Sequence, residues 1–507
     1  MPLSSPYHLL LGLVFLLPAL WFFHSGKTKT AFHFLLAGAF VLRLVMICLD
    51  PYLHEWDEQY HAVVAKSMMT HPFRPSMRKA ALLPYTMTDW CCSYIWLHKQ
   101  PLFMWQMALS MKVFGVNTVA LRLPNVLLGT AVLWPVFRIA QIWTQQTRVA
   151  FIAAFFYTLS FQVLELTSGR LMLDHNDIMF GYYITGSIWA FCEYTERPGW
   201  KWAVIIGILA GGAILIKWLT GLLVFGGWGL YLLISREERK QILHYWHGLT
   251  AILVCIVVFL PWQIYIQHTF PAESATAYAY FREHIFDDLG HPGNGWFYLK
   301  DMDTAFGIVL IPFLAGGLWS IRRNPINKRL SIAMLSMLAV VYLFFSLIVA
   351  TKMPGFMFPV AAIGFILMAI GCNNFLLWLN QYTQPIFATV VLGILGILSM
   401  QAERIVQFRS SNNTGRNILL ANTHIYQQIP NIIGPNVVVF NCKAMQDPAV
   451  RFWTPNNAYQ LFPESEVMDS LLHNGYKVAA FVSHHNQNLP EFWDKDPRVK
   501  KLEWVLQ

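Results

Sequence analysis

Apolar runs of about 20 residues recur from Pro6 to about Met400, and each is long enough to cross a hydrocarbon core of about 30 Å as a helix. Backbone polar groups must be paired inside lipid, so many such runs in one chain predict an all-α polytopic bundle. We predict twelve membrane helices, at residues 8–24, 32–49, 118–142, 148–165, 173–192, 201–216, 218–234, 247–267, 303–320, 331–350, 354–371 and 383–400.

Basic residues cluster in four of the loops between these helices, and the positive-inside rule makes such loops cytoplasmic. With twelve helices all four loops fall on one side, so both termini and the long loops 50–117 and 268–302 lie outside. The turns at 166–172, 217 and 351–353 lie on the same outer side. The four loops contain Lys27 and Lys29; Arg197 and Lys201; Arg236, Arg239 and Lys240; and Arg322, Arg323, Lys328 and Arg329.

The composition changes after about residue 401, where short apolar and β-branched segments replace the long apolar runs. We therefore divide the chain into a transmembrane domain at 1–400 and a small α/β domain at 401–507 on the outer face. The predicted elements of the second domain are strands at 436–441, 477–483 and 499–506 and a helix at 464–474.

The overall composition narrows the class of function. Of 507 residues, 56% are hydrophobic and 12% are charged, with a mean hydropathy of +0.44, whereas soluble domains carry about 25% charged residues. The net charge of +9 lies mostly in short loops, so it does not indicate nucleic-acid binding. The sequence has no nucleotide-binding fingerprint. An enzyme on the outer face must therefore draw an activated donor from the membrane.

Two acidic clusters lie on the predicted outer face. Asp57 and Glu58 follow the second helix, and Asp174 and Asp177 lie at the outer end of the fifth. Charged groups near membrane depth are costly and mark candidate sites. The alternatives are solvated loop charges for the first cluster and stabilisation of a helix N-terminus for the second.

Two lysines on the same face interrupt apolar runs. Lys217 lies between two apolar segments, and Lys352 lies at a Pro-Gly break between two others. A lysine in such a place either extends to the interface or binds an anion. Sugar transfer from a lipid phosphate needs cations for the phosphate and a carboxylate for a hydroxyl proton, and the outer face offers both.

The order of the motifs resembles a known family. Asp57-Glu58 with Tyr60 resembles the acidic motif in the first outer loop of the GT-C superfamily, in its protein mannosyltransferase and aminoarabinose transferase branch. The other motifs of that branch resemble residues 98–115, 121–129, 169–177, Lys217, 291–298 and 351–359. The matching positions in the first two are His98, Lys99, Pro101, Leu102, Trp105, Phe114, Gly115, Arg122, Leu123 and Pro124.

The resemblance implies a GT-C bundle and inverting transfer of a sugar from a polyprenyl phosphate. In that mechanism Asp57 orients or deprotonates the acceptor hydroxyl, and Asp174 is the second acidic group. Bound cations stabilise the charge that develops on the leaving phosphate. The expected phosphate contacts are Lys217, Lys352 and Arg170. The expected supporting residues are Glu58, Tyr60, Lys99, Arg122 and Asp177. Of these, Asp177 is the alternative to Asp174 as the second acidic group. Arg122 either contacts phosphate or anchors the third helix.

Two features depart from the branch. An extra helix at 8–24 precedes the acidic motif, and residues 80–97 (AALLPYTMTDWCCSYIWL) form an insertion ahead of the motif that starts at His98. The insertion lies beside the expected acceptor route, so the acceptor is not carried over from the family. No cofactor is certain. His98 and His291 are candidate ligands for a divalent metal, with ordinary hydrogen-bonding histidines as the alternative.

The sequence-based hypothesis is therefore a membrane glycosyltransferase with a polyprenyl-phosphate sugar donor, an unknown acceptor and no nucleic-acid partner. Family distribution favours a bacterial inner membrane with the active site facing the periplasm. Two other classes remain open. One very large outer loop rich in Arg and His would favour a glycan polymerase or ligase, but the largest loop here is the first, and it carries acids. Inverted repeats or paired broken helices in both halves would favour a transporter, and the sequence shows neither.

Overall fold

The structure is a computed structural model, and it describes residues 5–88, 91, 93–170, 176–323, 327–484 and 487–507. Most of the described chain is helical. The helices are α1 (Leu9–His24), α2 (Thr28–Cys48), α3 (Asp57–Met68), α4 (Leu102–Phe114), α5 (Thr118–Ala131), α6 (Leu133–Thr144), α7 (Thr147–Leu159), α8 (Phe161–Thr167), α9 (Asn176–Glu196), α10 (Trp200–Lys217), α11 (Leu223–Ile234), α12 (Arg236–Arg239), α13 (Ile242–Thr269), α14 (Pro271–Phe286), α15 (Phe297–Lys300), α16 (Met302–Phe306), α17 (Ile311–Arg323), α18 (Lys328–Leu343), α19 (Ala361–Leu379), α20 (Pro385–Ser399), α21 (Ala402–Phe408), α22 (Thr414–Gln428), α23 (Asp447–Trp453), α24 (Ser465–His473) and α25 (Glu491–Lys495).

The helical segments make this an integral membrane protein, as predicted. Within the described ranges, eight segments are long and apolar enough to cross a membrane, or nine if α7 and α8, bent by 53°, form one span. Each of the twelve predicted segments contains helix. The lower count arises because α9 is less apolar than the other long helices, α17 has only 13 residues, and α10 and α11 are counted together.

The chain divides into two compact units. The first comprises residues 1–49, 125–271 and 277–406 and contains the predicted spans. In it α10 packs closely against α13 because Gly207 and Gly211, four residues apart, face that helix. A Cβ atom at Gly207 would lie 2.5 Å from the carbonyl oxygen of Ala251, and one at Gly211 would lie 2.8 Å from that of Cys255. Small residues at this spacing let membrane helices approach closely.

The second unit comprises residues 50–124, 272–276 and 407–507. Its four-stranded sheet contains β1 (Val437–Phe440), β2 (Lys477–His484), β3 (Gln487–Asn488) and β4 (Val499–Leu506). The central β2 runs parallel to β1, with Val437 opposite Lys477, and parallel to β4, with Val478 opposite Val499. The short β3 pairs antiparallel with the end of β2. The predicted strands and the helix α24 are confirmed.

The first long loop contributes to the hydrophobic core of this second unit. Leu83 packs in one cluster with Phe440 and Val478 of the sheet and with Trp493 of α25. The predicted division at residue 401 stays a prediction. The structure adds that residues 50–124 and 407–507 belong to one compact unit, a long-range association that no local pattern indicates.

Candidate active site

The acidic motif lies at the start of α3. The residue before this helix, Trp56, has a positive φ of 64°, which turns the chain sharply so that α3 begins at Asp57. Asp57 is partly exposed in the first turn, whereas Glu58 and Tyr60 are each only 2% exposed. The two neighbouring carboxylates therefore have different environments, and only Asp57 is accessible to a substrate.

Glu58 is committed to a buried ion pair with Arg122. The Nε and Nη2 atoms of Arg122 donate to the Glu58 carboxylate over 2.6 and 2.9 Å, and the backbone N–H of His54 donates to it over 2.6 Å. Arg122 also donates from Nη1 to the carbonyl oxygen of Asp50 over 2.6 Å and from Nη2 to that of Tyr52 over 2.7 Å. Arg122 is fully buried. Of its two sequence-based interpretations, this geometry favours anchoring over phosphate contact.

Asp50 is a second buried carboxylate at this end of the loop, and sequence reasoning missed it. Arg409 donates to Asp50 from Nη2 over 2.7 Å and from Nε over 3.1 Å, and His54 lies 3.5 Å away. Burial alone would raise the pKa of Asp50, but the charge of Arg409 and the hydrogen bond from His54 outweigh burial and hold that pKa well below its usual value of 3.8. Asp50 is therefore ionised at neutral pH. The only signal in the sequence was an acid directly after an apolar helix.

The Asp50–Arg409 pair makes a pH-dependent contribution to stability. Since folding lowers the pKa of Asp50, the contribution is fully present above the unfolded pKa of 3.8 and is lost as the pH falls below it. Asp50→Asn should lower the free energy of unfolding by about 3 kcal/mol at pH 7, because Arg409 loses its charged partner. The gap in Tm between wild type and Asp50→Asn should narrow as the pH is lowered from about 5 to about 2.5.

Thermal unfolding of the detergent-purified protein across this pH range measures the gap. The matched control is Asp469→Asn, because the Asp469 side chain is 56% exposed and pairs only at the surface with Arg498. A gap for Asp50→Asn that stays constant down to pH 2.5 would contradict the assignment.

The other end of α3 is fixed by Lys66. Its ammonium donates to the carbonyl oxygens of Arg451, Phe452 and Thr454 over 2.8, 2.8 and 2.7 Å. These carbonyls lie at the C-terminal end of α23, where unpaired backbone acceptors favour a cation. Burial, with a smaller effect of Lys79, lowers the pKa of Lys66 to about 8. The helix that carries Asp57 is thus held at both ends.

In the membrane unit, Lys217 forms an ion pair with Asp177. Asp177 is fully buried, the Lys217 side chain is 21% exposed, and the Lys217 ammonium lies 5.7 Å from the centre of the Phe356 ring. Two predicted site residues, 40 positions apart in sequence, are therefore in contact. Asp174 lies outside the described residues.

Arg170 contacts a carboxylate that the sequence did not single out. Its Nε donates to Glu165 Oε2 over 2.5 Å. Glu165 is fully buried, and it had been included in the predicted apolar helix 148–165. The expected phosphate contact at Arg170 stays a prediction, and its guanidinium is oriented by Glu165.

Lys352 lies at the predicted break between two apolar helices. Its ammonium donates to the carbonyl oxygen of Phe345 over 2.6 Å, to that of Ser346 over 3.0 Å, and to that of Val349. An ammonium has three N–H donors, so these contacts satisfy all of them. This geometry favours a role in holding the turn over direct contact with a phosphate.

The remaining predicted residues lie in the loops. His98 is buried beside the Trp96 ring, with centroids 5.8 Å apart, and Lys99 follows it, partly exposed, before α4. His291 is exposed, and its carbonyl oxygen accepts from the Lys352 backbone N–H over 2.9 Å. Among the residues that the structure describes, no three or more His, Cys, Asp or Glu side chains are grouped to hold a metal. The metal hypothesis stays a prediction, as does the convergence of Asp57, Asp174, Lys217 and Lys352 on one cavity.

The sequence of the chain is similar to one protein family and to several curated proteins. Residues 98–265 match the family described as dolichyl-phosphate-mannose-protein mannosyltransferase. The undecaprenyl phosphate-alpha-4-amino-4-deoxy-L-arabinose arabinosyl transferase 1 of Pseudomonas fluorescens (strain Pf0-1) is 24% identical over 319 residues, which is 59% of this chain and 53% of the relative. The corresponding transferase of Pseudomonas paraeruginosa (strain DSM 24068 / PA7) is 26% identical over 271 residues, or 50% and 46%. The chain thus spans about half the length of these curated relatives.

Solved structures extend the similarity to most of the fold. The crystal structure of ArnT from Cupriavidus metallidurans bound to undecaprenyl phosphate has a TM-score of 0.64 at 15% identity and covers 87% of each chain. The apo structure of the same protein has a TM-score of 0.62 at 15% identity and covers 89% of each chain. The polytopic fold with a small C-terminal sheet is therefore confirmed. The chain therefore shares the fold of these structures, and its sequence is similar to the dolichyl-phosphate-mannose-protein mannosyltransferase family over residues 98–265 and to the arabinosyl transferases over half of the chain or somewhat more.

Proposed function

We propose that the chain is a membrane glycosyltransferase that moves a sugar from a polyprenyl-phosphate donor to a hydroxyl or phosphate acceptor. The curated relatives are named undecaprenyl phosphate-alpha-4-amino-4-deoxy-L-arabinose arabinosyl transferases, and the similar crystal structure is bound to undecaprenyl phosphate. The basic loops support a site on the periplasmic face of a bacterial inner membrane, since they belong to the opposite side.

The environment of Asp57 is the observation that carries the proposal. Asp57 is accessible in the first turn of α3, and this helix is fixed by the Glu58–Arg122 pair and by Lys66. A base held on a rigid element can accept a proton without reorganisation. The acceptor oxygen attacks the anomeric carbon, the bond from that carbon to the phosphate oxygen breaks, and Asp57 takes the hydroxyl proton. Polyprenyl phosphate leaves, and the configuration is inverted.

Lys217 is the best-supported contact for the donor phosphate. Its side chain is partly exposed, and the buried Asp177 orients the ammonium without enclosing it. A fixed cation stabilises the charge that develops on the leaving phosphate. Because Asp177 is occupied by Lys217, we assign the second acidic role to Asp174. Arg170, oriented by Glu165, is the second proposed cation.

The test compares two lysines with purified protein in detergent. With undecaprenyl phosphate-aminoarabinose as the donor, Lys217→Ala should raise the donor KM about tenfold and also lower kcat, because an ionic contact to the leaving phosphate is lost. Lys352→Ala should lower Tm, because the turn loses three hydrogen bonds, while the donor KM of the folded protein stays within about twofold.

Released undecaprenyl phosphate and labelled sugar transferred to bacterial membrane extract are the two measurements. Lys201→Ala is the control, because Lys201 is exposed beside the Trp202 ring in the first turn of α10, at the end predicted to face the cytoplasm. Failure of the wild type to release undecaprenyl phosphate from any polyprenyl-phosphate sugar would overturn the function. A normal donor KM for Lys217→Ala would overturn its role.

A further inference from the structure

A cleft of about 170 Å³ opens in the second unit beside the acidic motif. Three separate parts of the chain form its walls. The insertion at 80–97 supplies Tyr85, Thr86 and Tyr94, the C-terminal segment supplies Asp447 and Tyr459, and α3 supplies Tyr60. All three parts lie within one compact unit. The family resemblance accounts for Tyr60 alone, so the cleft is a feature of this chain that the motifs do not explain.

The aromatic side of the cleft is partly rigid and partly accessible. Tyr459 is stacked on Phe440 of the sheet with ring centroids 5.5 Å apart, so the hydrophobic core holds its orientation. Tyr85 is 39% exposed, and its ring lies 5.9 Å from that of Tyr94. The exposed ring of Tyr85 is therefore suited to stacking against a ligand, whereas the buried Tyr459 forms a fixed wall behind it.

The polar side of the cleft offers both donors and acceptors. The Asp447 carboxylate is oriented by Arg451, whose Nη2 donates to it over 2.7 Å. The Arg78 guanidinium lies 4.0 Å from the same carboxylate and 4.7 Å from the centre of the Tyr459 ring. The Tyr85 hydroxyl, the Asp447 carboxylate and the Arg78 guanidinium together match the alternating donors and acceptors of a polyol.

These features fit a sugar ring better than the acyl chain of a membrane lipid. An acyl chain would remove the Arg78 and Asp447 charges from water and offer them no hydrogen bonds in exchange, which is costly. A sugar ring presents C–H faces to tyrosines and hydroxyls to charged side chains. The volume is below the roughly 300–1,000 Å³ of pockets that enclose a drug-sized ligand, so the cleft is sized for one ring of a larger molecule.

The position of Tyr60 connects the cleft to the proposed base. Tyr60 and Asp57 are three residues apart on α3 and therefore lie on the same side of the helix, with Cβ atoms about 5–6 Å apart. We propose that this cleft binds one sugar ring of a saccharide acceptor, and that the insertion at 80–97 sets the choice of acceptor. This inference rests on the proposed function and adds the acceptor class to it.

Acceptor kinetics of Tyr85→Ala test the proposal. The assay uses the full-length protein, undecaprenyl phosphate-aminoarabinose and the saccharide-containing lipid extract of bacterial membranes at increasing concentration. Tyr85→Ala should raise the apparent acceptor KM about tenfold through lost stacking, with kcat and donor KM within about twofold. Tyr85→Phe keeps the ring and should restore acceptor KM to within about twofold of wild type.

Tyr382→Ala is the matched control, since Tyr382 is an exposed tyrosine, 71% accessible, in the membrane unit. An acceptor KM for Tyr85→Ala equal to that of wild type would overturn the cleft assignment, and so would a loss confined to kcat or Tm. If the enzyme used a peptide or diacylglycerol acceptor that contains no saccharide, and if the KM for that acceptor depended on Tyr85, the assignment of a saccharide acceptor would be overturned. Failure of wild type to consume the donor would instead overturn the proposed function, so the two failures are distinguishable.

Discussion

Asp57→Asn should reduce kcat for sugar transfer by about 10²-fold or more, the scale expected for loss of a general base. Asparagine keeps the size and shape of the side chain but cannot take the acceptor proton. The donor KM should stay within about twofold, because the phosphate contacts in the proposed mechanism are cations elsewhere. The Tm should fall by much less than for Arg122→Ala, because the Glu58–Arg122 pair and Lys66 hold α3 at its two ends.

Glu55→Gln is the control for this variant. Glu55 is an exposed acid two residues before Asp57, and its loss removes the same charge from the same loop. We expect its turnover to stay within about twofold of wild type, as for an exposed charge without a role in the transition state. Near-normal transfer by folded Asp57→Asn would refute the mechanism. A large drop in its Tm would instead indicate a structural carboxylate.

Arg122→Ala should lower the free energy of unfolding by about 3–5 kcal/mol, the range for removing one partner of a buried ion pair. The substitution leaves the buried Glu58 carboxylate without its guanidinium and removes donors from the carbonyl oxygens of Asp50 and Tyr52. Thermal unfolding in detergent measures the loss. Arg498→Ala, on a half-exposed surface arginine, should leave Tm unchanged.

A double variant separates the ion pair from the arginine itself. Arg122→Met combined with Glu58→Met removes both charges, so no buried carboxylate is left unpaired, and most of the lost stability should return. If Arg122 contacts the donor phosphate instead, Arg122→Ala would keep its Tm and raise the donor KM. That result would reverse the assignment made from the contacts.

The positions of helices and strands follow from local patterns in this chain. The apolar run 383–400 is long enough to specify α20 without knowledge of its neighbours, and the β-branched run NVVVFN specifies β1. Asp177 and Lys217 can each be recognised from the sequence as a charge next to an apolar helix, but their pairing across 40 residues cannot. Local composition is enough to predict a residue's role wherever lipid or the residue's own helix determines its environment.

Side-chain contacts with residues distant in sequence, or with backbone carbonyls, could not be predicted from local patterns. Arg409 meets Asp50 across 359 residues, and no spacing rule connects the two. Lys352 is expected to contact phosphate because it lies on the same predicted outer face as the acidic clusters and matches the lysine of a family motif. The oxygen atoms that it contacts are main-chain carbonyls, which every sequence contains and which carry no residue-specific signal.

The contact of Lys66 with the end of α23 has a consequence for biosynthesis. Lys66 and Arg451 are separated by 385 residues, so α3 emerges from the ribosome long before the carbonyls that fix it exist. Contacts of such high sequence separation form late, after nearly every membrane helix has been inserted. A translation product that stops before Arg451 would contain the acidic motif and the whole predicted bundle, yet α3 would lack its second support. The helix that carries the acidic motif is therefore fixed at both ends only after the segment around Arg451 has been synthesised.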